Sequence, residues 1–162
     1  MNKVQKTLLV EAINHIDTDP VYAQELLNEV IGDTEWQERE KAAKEKEELK
    51  KYGIKELIGG HLSNLKEDYP WLLKAKIKDA IIELKMLRNY NNFIWKSGTW
   101  IDGVWEMGDW EDGTWLNGTW EKGEWADGKW KDGVWKKKGI WNTGQIWNKE
   151  TKKYEVSSEP PK

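Results

Sequence analysis

Tryptophan recurs every five residues through the second half of the chain, and this period constrains the fold more than any other feature. The tryptophans are Trp95, Trp100, Trp105, Trp110, Trp115, Trp120, Trp125, Trp130 and Trp135, and the glycines two residues before them are Gly98, Gly103, Gly108, Gly113, Gly118, Gly123, Gly128 and Gly133. A period of five rotates each tryptophan by about 140° around an α-helix, so no helical face holds them all. Glycine also costs about 1 kcal/mol at each helical position. The period therefore excludes a helix and predicts β-structure.

Within each G-x-W unit, glycine and tryptophan lie two residues apart and point to the same side of a strand. The residue between them is often threonine or valine, as at Thr99 and Val104, which favours a strand. The other two positions are mostly charged or amide-bearing, which is typical of a corner. The pattern predicts short strands joined by polar corners, with each glycine making room for an indole.

The array from 95 to 147 resembles the pentapeptide-repeat proteins, which place a bulky residue and, two before it, a small residue inside a β-helix. Trp100 with Gly98 and Trp105 with Gly103 take those places, although that family uses Leu or Phe with Ala. The resemblance covers about one third of the chain. It implies four-sided coils, about two and a half of them, stacked at ~4.8 Å per layer.

A meander of three-residue strands is the alternative architecture for the array. Asp-Gly or Asn-Gly pairs occur at 102–103, 112–113, 117–118, 127–128 and 132–133, and such pairs favour two-residue hairpins. Met107 and Lys122 stand in the same corner position and weaken this reading, because they disfavour positive φ. Each buried tryptophan contributes roughly 4–6 kcal/mol at ~25 cal/mol/Å². We expect the indoles inside a β-solenoid.

The first half of the chain predicts helices. Apolar residues recur at three and four residues, and we expect a helical bundle of four or five members, at 8–16, 21–31, 34–53, 54–65 and 72–87. Asp19 is a natural N-cap before Pro20, and Gly32 is expected to end that helix. The fold class is thus α+β, with a helical domain at 1–92, a Trp-Gly β-domain at 93–148 and a loose polar tail at 149–162.

Composition argues against an enzyme. Cysteine is absent, the two histidines are His15 and His61, and the net charge is −3. Thiolate sites, histidine metal clusters and strongly acidic or basic binding faces are therefore not indicated. We expect each histidine to be a packed or half-exposed helix residue, and Glu106, Asp109, Glu111 and Asp112 to be solvated corner residues rather than a glycosidase pair. The Asp-Gly corners are not expected to bind calcium, because each offers one carboxylate and the nonapeptide calcium motif is absent. No catalytic residue, metal or cofactor is predicted.

The array also resembles uncharacterised proteins of tailed bacteriophages, which carry W/F-x-x-G-x arrays after a short N-terminal segment. This resemblance implies a viral origin and a location in the host cytoplasm or the virion. We expect a non-enzymatic structural or protein-interaction protein, in which the helices dock or oligomerise and the array is a rigid platform. The alternatives are an inhibitor of a host enzyme or defence system, and a glycan-binding adhesin using exposed tryptophans. Membrane and nucleic-acid partners are not expected.

Overall fold

The computed structural model describes residues 3–87 and 90–162. Three α-helices precede or interrupt the first strands, and the remaining strands follow without a helix. The elements are α1 (Lys3–His15), α2 (Pro20–Lys51), β1 (Ile54–Ile58), α3 (Leu62–Asp68), a 3₁₀ turn (Leu72–Lys74), β2 (Lys76–Leu87), β3 (Tyr90–Asp102), β4 (Val104–Trp105), β5 (Asp109–Trp110), β6 (Thr114–Trp115), β7 (Thr119–Trp125), β8 (Lys129–Trp130), β9 (Val134–Trp141), β10 (Gly144–Asn148) and β11 (Lys153–Ser157). The α+β class is confirmed.

The chain forms two compact units, Met1–Lys44 and Glu45–Lys162. The expected boundary at residues 92–93 falls within β3 of the second unit. In unit 1, Asp19 caps α2 as predicted, since its Oδ1 accepts the N–H of Tyr22 at 3.0 Å. The predicted helix end at Gly32 is wrong, because α2 continues past Gly32 to Lys51 and is 32 residues long in all. A single glycine costs only about 1 kcal/mol, and the Thr34 hydroxyl bonds back to the Val30 carbonyl instead of starting a new helix.

Helices predicted at 54–65 and 72–87 are wrong over most of their length. β1 pairs in parallel with β2, and β2 pairs antiparallel with β3. The side chains of Ala80, Ile82 and Leu84 are buried while the residues between them are less so, which is the period of two of a strand. Isoleucine-rich segments of this kind fit both periods, and the first strand of the array supplies the partner that selects the strand.

Fifteen residues make one coil of the array. Trp95 pairs with Trp110, Trp100 with Trp115 and Trp105 with Trp120, all in parallel. Within the array, each pentapeptide therefore pairs with the third pentapeptide along the chain and not with the next one. The β-solenoid is confirmed, with about four turns. The meander is wrong, and so are the four-sided coils implied by the pentapeptide-repeat resemblance, since three pentapeptides close each coil and the solenoid has three sides.

The two ends of the solenoid are covered differently. At the first coil, the Trp71 ring packs 5.4 Å from Trp105 and 6.2 Å from Trp100. At the last coil, β10 pairs on its outer side with β11 in antiparallel register. The tail expected to be loose at 149–162 is therefore wrong over 153–157, where alternation in KYEVS completes a hairpin with β10.

Candidate functional site

Three columns of stacked indoles fill the solenoid. They are Trp95-Trp110-Trp125-Trp141, Trp100-Trp115-Trp130 and Trp105-Trp120-Trp135. Consecutive rings in a column are 4.7–5.1 Å apart with interplanar angles of 3–9°. The eight tryptophans from 95 to 130 are at most 2% exposed. The ring spacing follows the ~4.8 Å spacing of hydrogen-bonded strands, so the backbone ladder sets the stacking distance.

Rings of different columns meet edge to face. Trp95 and Trp100 illustrate the contact, with centroids 6.0 Å apart and an interplanar angle of 69°. Offset-stacked and edge-to-face pairs are both favourable for aromatic rings, and such pairs add about 0.5–1.5 kcal/mol beyond the burial of area. Each central indole therefore has stacked neighbours above and below and edge contacts at its sides. The indoles from Trp95 to Trp130 therefore pack mainly against one another and are closed off from solvent.

One glycine ladder runs along each corner of the solenoid. The eight predicted glycines have φ between +118° and +133°. A Cβ on Gly123 would lie 2.1 Å from the carbonyl oxygen of Gly108, one coil earlier. Gly113 is also close to an indole, with the Trp95 Nε1 atom 3.1 Å from the position of its Cβ. The glycines therefore do make room for indoles, but the backbone of the preceding coil and the positive φ impose the tighter limit.

Most indole N–H groups in the core are not hydrogen bonded. The Nε1 atom of Trp115 donates to the Asp132 carbonyl at 3.1 Å, and that of Trp141 donates to the Ser157 carbonyl at 3.1 Å. The buried Nε1 atoms without a partner in the described part of the chain are those of Trp95, Trp100, Trp105, Trp110, Trp120 and Trp125. Burying these donors offsets part of the stabilisation from apolar area. Sequence patterns carry no signal for this cost.

The extra residue in Lys136-Lys137-Lys138 changes which residues continue the columns. Trp125 stacks on Trp141, sixteen residues later, at 5.1 Å. By the same offset Ile146, not Trp147, pairs with Trp130 in the ladder. Trp147 lies outside the columns and packs against the Tyr154 ring at 5.0 Å. The last tryptophan of the sequence pattern is therefore not a member of the core array.

Aspartates at the corners bind their own backbone. Asp102, Asp112, Asp127 and Asp132 each accept the N–H of the following glycine, at 2.6–3.0 Å. This contact lowers the pKa of Asp132, and the Lys149 ammonium 3.2 Å away lowers it further. Over residues 3–87 and 90–162 no group of three potential metal ligands is found. The corners thus present single carboxylates already engaged in turns.

The four carboxylates singled out from sequence are not brought together as an acid–base pair. Glu111 forms an ion pair with Lys96 at 2.6 Å, and this contact raises the pKa of that lysine. Asp109 accepts a hydrogen bond from the Asn92 amide at 2.9 Å. Glu106 lies on another side of the solenoid, in the groove described next. Glu111 and Asp109 are thus each engaged by a neighbouring side chain on the outer surface.

A shallow groove of about 400 Å³ lies on the side that carries β4. It is lined by Val104, Glu106, Met107, Glu121, Lys122 and Lys138. Its floor includes the exposed apolar side chains of Val104 and Met107, and its walls carry both signs of charge. Met107 occupies a corner position where most repeats have an Asx residue, and we did not predict a groove from this departure.

The prediction of a packed or half-exposed helix histidine is confirmed for His15, which is half-buried in α1, whereas His61 is exposed and lies just before α3. His61 is the N-cap residue of α3, and its exposed ring lies 3.2 Å from the carboxylate of Glu45. Glu45 also accepts the N–H of Leu62 at 2.5 Å. His15 ends α1 and contacts the Tyr22 ring edge-on at 5.3 Å. Both histidines are therefore at helix ends, where polar side chains satisfy backbone groups.

Comparison with known proteins gives no match: no family model, no curated protein and no solved structure is significantly similar to this chain. Fold and surface alone define the class, a three-sided β-solenoid with a tryptophan core and an α-helical N-terminal unit. No described helix is long and apolar enough to cross a membrane.

Proposed function

We propose that this chain is a non-enzymatic interaction scaffold, in which the solenoid is a rigid platform and the helices of unit 1 form the docking part. The observation that carries the proposal is the burial of eight stacked indoles to 2% exposure or less. A core of this kind fixes the backbone of every coil. The outward positions then form ladders with a constant spacing along each side.

Charge along the solenoid supports binding to a protein partner. Residues 94–123 contain six acidic and two basic side chains, whereas residues 124–139 contain three acidic and five basic ones. The first two coils are therefore acidic and the third is basic. Such a separation of charge orients a partner of complementary pattern and raises its association rate, more than it raises affinity.

The other readings have less support. An adhesin that stacks sugars on tryptophan needs exposed indoles, and eight of the nine in the array, from Trp95 to Trp130, are buried. An inhibitor of a host enzyme would bind through the same outer surface. The inhibitor function is therefore the scaffold function with one particular partner, an enzyme that loses activity when bound. The phage-like array favours a viral origin, with the protein acting in the host cytoplasm or in the virion.

Two measurements test the proposal. Hydrogen exchange of the full chain should show the slowest amides in β5–β8, because these strands are flanked by a coil on both sides. Affinity capture should recover a protein partner in stoichiometric amount, and the variant Glu111→Lys with Glu121→Lys should lose it with only a small drop in Tm, because exposed ion pairs contribute about 0–1 kcal/mol each. A control outside both the solenoid surface and unit 1 is Glu67→Lys, an exposed charge reversal in α3. Fast exchange in β5–β8, or no partner for the wild type, would contradict the scaffold role.

A further inference from the structure

Unit 1 is a helical hairpin with a small interior. The helices run antiparallel: the Gln5 amide donates to the Thr34 hydroxyl at 3.2 Å, and the Tyr22 hydroxyl donates to Glu11 at 2.7 Å near the other end. Over the described side chains of Met1–Lys44, the buried ones are Gln5, Ala12, Ala23, Leu26 and Val30. Two of these are alanines, so the contact between the helices buries little apolar area. Helical units usually bury their apolar stripes against a second layer.

The two flanks of this hairpin differ in polarity. On one flank Glu11, His15 and Tyr22 form a polar network, with the His15 and Tyr22 rings 5.3 Å apart. On the opposite flank lie Leu9, Ile13, Leu27 and Ile31, which we call the apolar flank. Ile13 and Ile31 are each more than half exposed.

Helical spacing places this set on one side of the hairpin. At about 100° per residue, Leu9 and Ile13 lie roughly 50–90° from the line of contact on α1, and Leu27 and Ile31 lie roughly 65–105° from it on α2. Because the helices are antiparallel, equal rotations on the two helices point to the same side. The apolar flank is therefore one continuous face, about 20 Å long and about 20 Å wide.

We propose that the apolar flank binds the same flank of a second copy of this chain, so that two hairpins form a four-helix bundle. This inference rests on the proposed docking role of unit 1 and names its partner. A face of aliphatic side chains is self-complementary, as a two-fold interface requires. Its area of about 400 Å² per copy is small for a specific interface, so we expect a dimer of micromolar affinity.

Charges at the rim of the flank favour a second copy over an unrelated partner. Lys6 lies on α1 at the end away from the α1–α2 turn, and Glu38 lies on α2 at the same end. By helical spacing Lys6 is about 110° and Glu38 about 85° from the helix contact, on the side of the apolar flank. A two-fold axis parallel to the helices sets α1 of one copy across from α2 of the other, so Lys6 of each copy faces Glu38 of its partner on both sides of the bundle.

Sedimentation velocity of the full chain between about 1 and about 200 µM tests the inference. The wild type should shift from monomer to dimer over this range. Ile13→Lys should raise the dimer Kd at least ~100-fold, because a two-fold interface loses two buried isoleucines. The control is Val10→Lys on the same helix, since Val10 is 58% exposed and Ile13 is 59% exposed, and Val10 lies about 150° from the helix contact. Its Kd should change less than ~3-fold.

Three results would overturn the dimer: a monomeric wild type at all concentrations, an unchanged Kd for Ile13→Lys, or equal weakening by Val10→Lys. Circular dichroism at 222 nm, which reports the helices, checks that each variant is folded. A monomeric wild type whose outer solenoid surface still binds a protein would refute this dimer and leave the scaffold role intact. A wild type that dimerises but captures no protein partner would refute the scaffold role and leave this dimer intact.

Discussion

Replacing Gly123 with alanine should destabilise the solenoid more than the same change at Gly103 or at Gly32. Alanine at φ +120° costs about 1–3 kcal/mol. The new Cβ would also lie 2.1 Å from the Gly108 oxygen, where ordinary contacts are 3.4–4 Å. That oxygen accepts the Glu124 N–H at 3.2 Å, so separating the coils weakens a ladder hydrogen bond worth about 0.5–1.5 kcal/mol. We expect Gly123→Ala to lower the free energy of unfolding by about 3–5 kcal/mol.

Two other glycines provide the comparison. Gly103 has φ +133°, but its added Cβ would meet Ala75 at 3.0 Å and no carbonyl, so Gly103→Ala should cost about 1–3 kcal/mol from the backbone alone. Gly32 has open space around it within α2, and Gly32→Ala should stabilise the helix by about 0.5–1 kcal/mol.

Urea unfolding followed by near-UV circular dichroism for the tryptophan core and at 222 nm for the helices separates these effects. Equal costs at Gly103 and Gly123 would refute the argument that contact between coils, rather than φ alone, imposes glycine.

Further changes test the core and its surface. Trp110→Ala should lower the free energy of unfolding by about 3–5 kcal/mol, and Trp147→Ala, outside the columns, by about 1–2 kcal/mol in the same urea assay. Tryptophan emission should be blue-shifted and protected from acrylamide, with a quenchable fraction that decreases in Trp36→Phe, because Trp36 is 62% exposed. The folded pKa of Asp132 is lowered, so its stabilisation is present above about pH 3.9 and is lost as pH falls below it. Asp132→Asn should make thermal unfolding less sensitive to acid there.

Some of the fold follows from local chemistry. A five-residue Trp-Gly period excludes a helix, and G-x-W places both residues on one side of a strand, so the burial of Trp100 beside Gly98 was predictable. Asp19 before Pro20 was predictable as a cap, because its side chain satisfies an N–H that no other group in the helix can reach. These inferences use contacts between residues a few positions apart.

The number of sides of the solenoid does not follow from local chemistry. The sequence pattern is compatible with four pentapeptides per coil as well as with three. Only the packing of indoles across the interior decides between the two. Three columns bring rings of different columns to 5.5–6.4 Å, within the 4.5–7 Å range of favourable aromatic pairs. A fourth side would separate opposite columns and leave a void, which close-packed interiors do not tolerate.

The structure of the segment from 54 to 87 also depends on tertiary contacts rather than on local sequence. Its apolar residues fit a helix and a strand equally well, so the sequence alone left its structure open, and our helical prediction there was wrong. Pairing with the first strand of the array, as between Ile82 and Trp95, buries the strand face and satisfies its backbone. The sequence by itself determined that the tryptophans lie inside a β-array. The tertiary structure decided the three-fold coil and the strands that begin it, because both depend on contacts between residues distant in the chain.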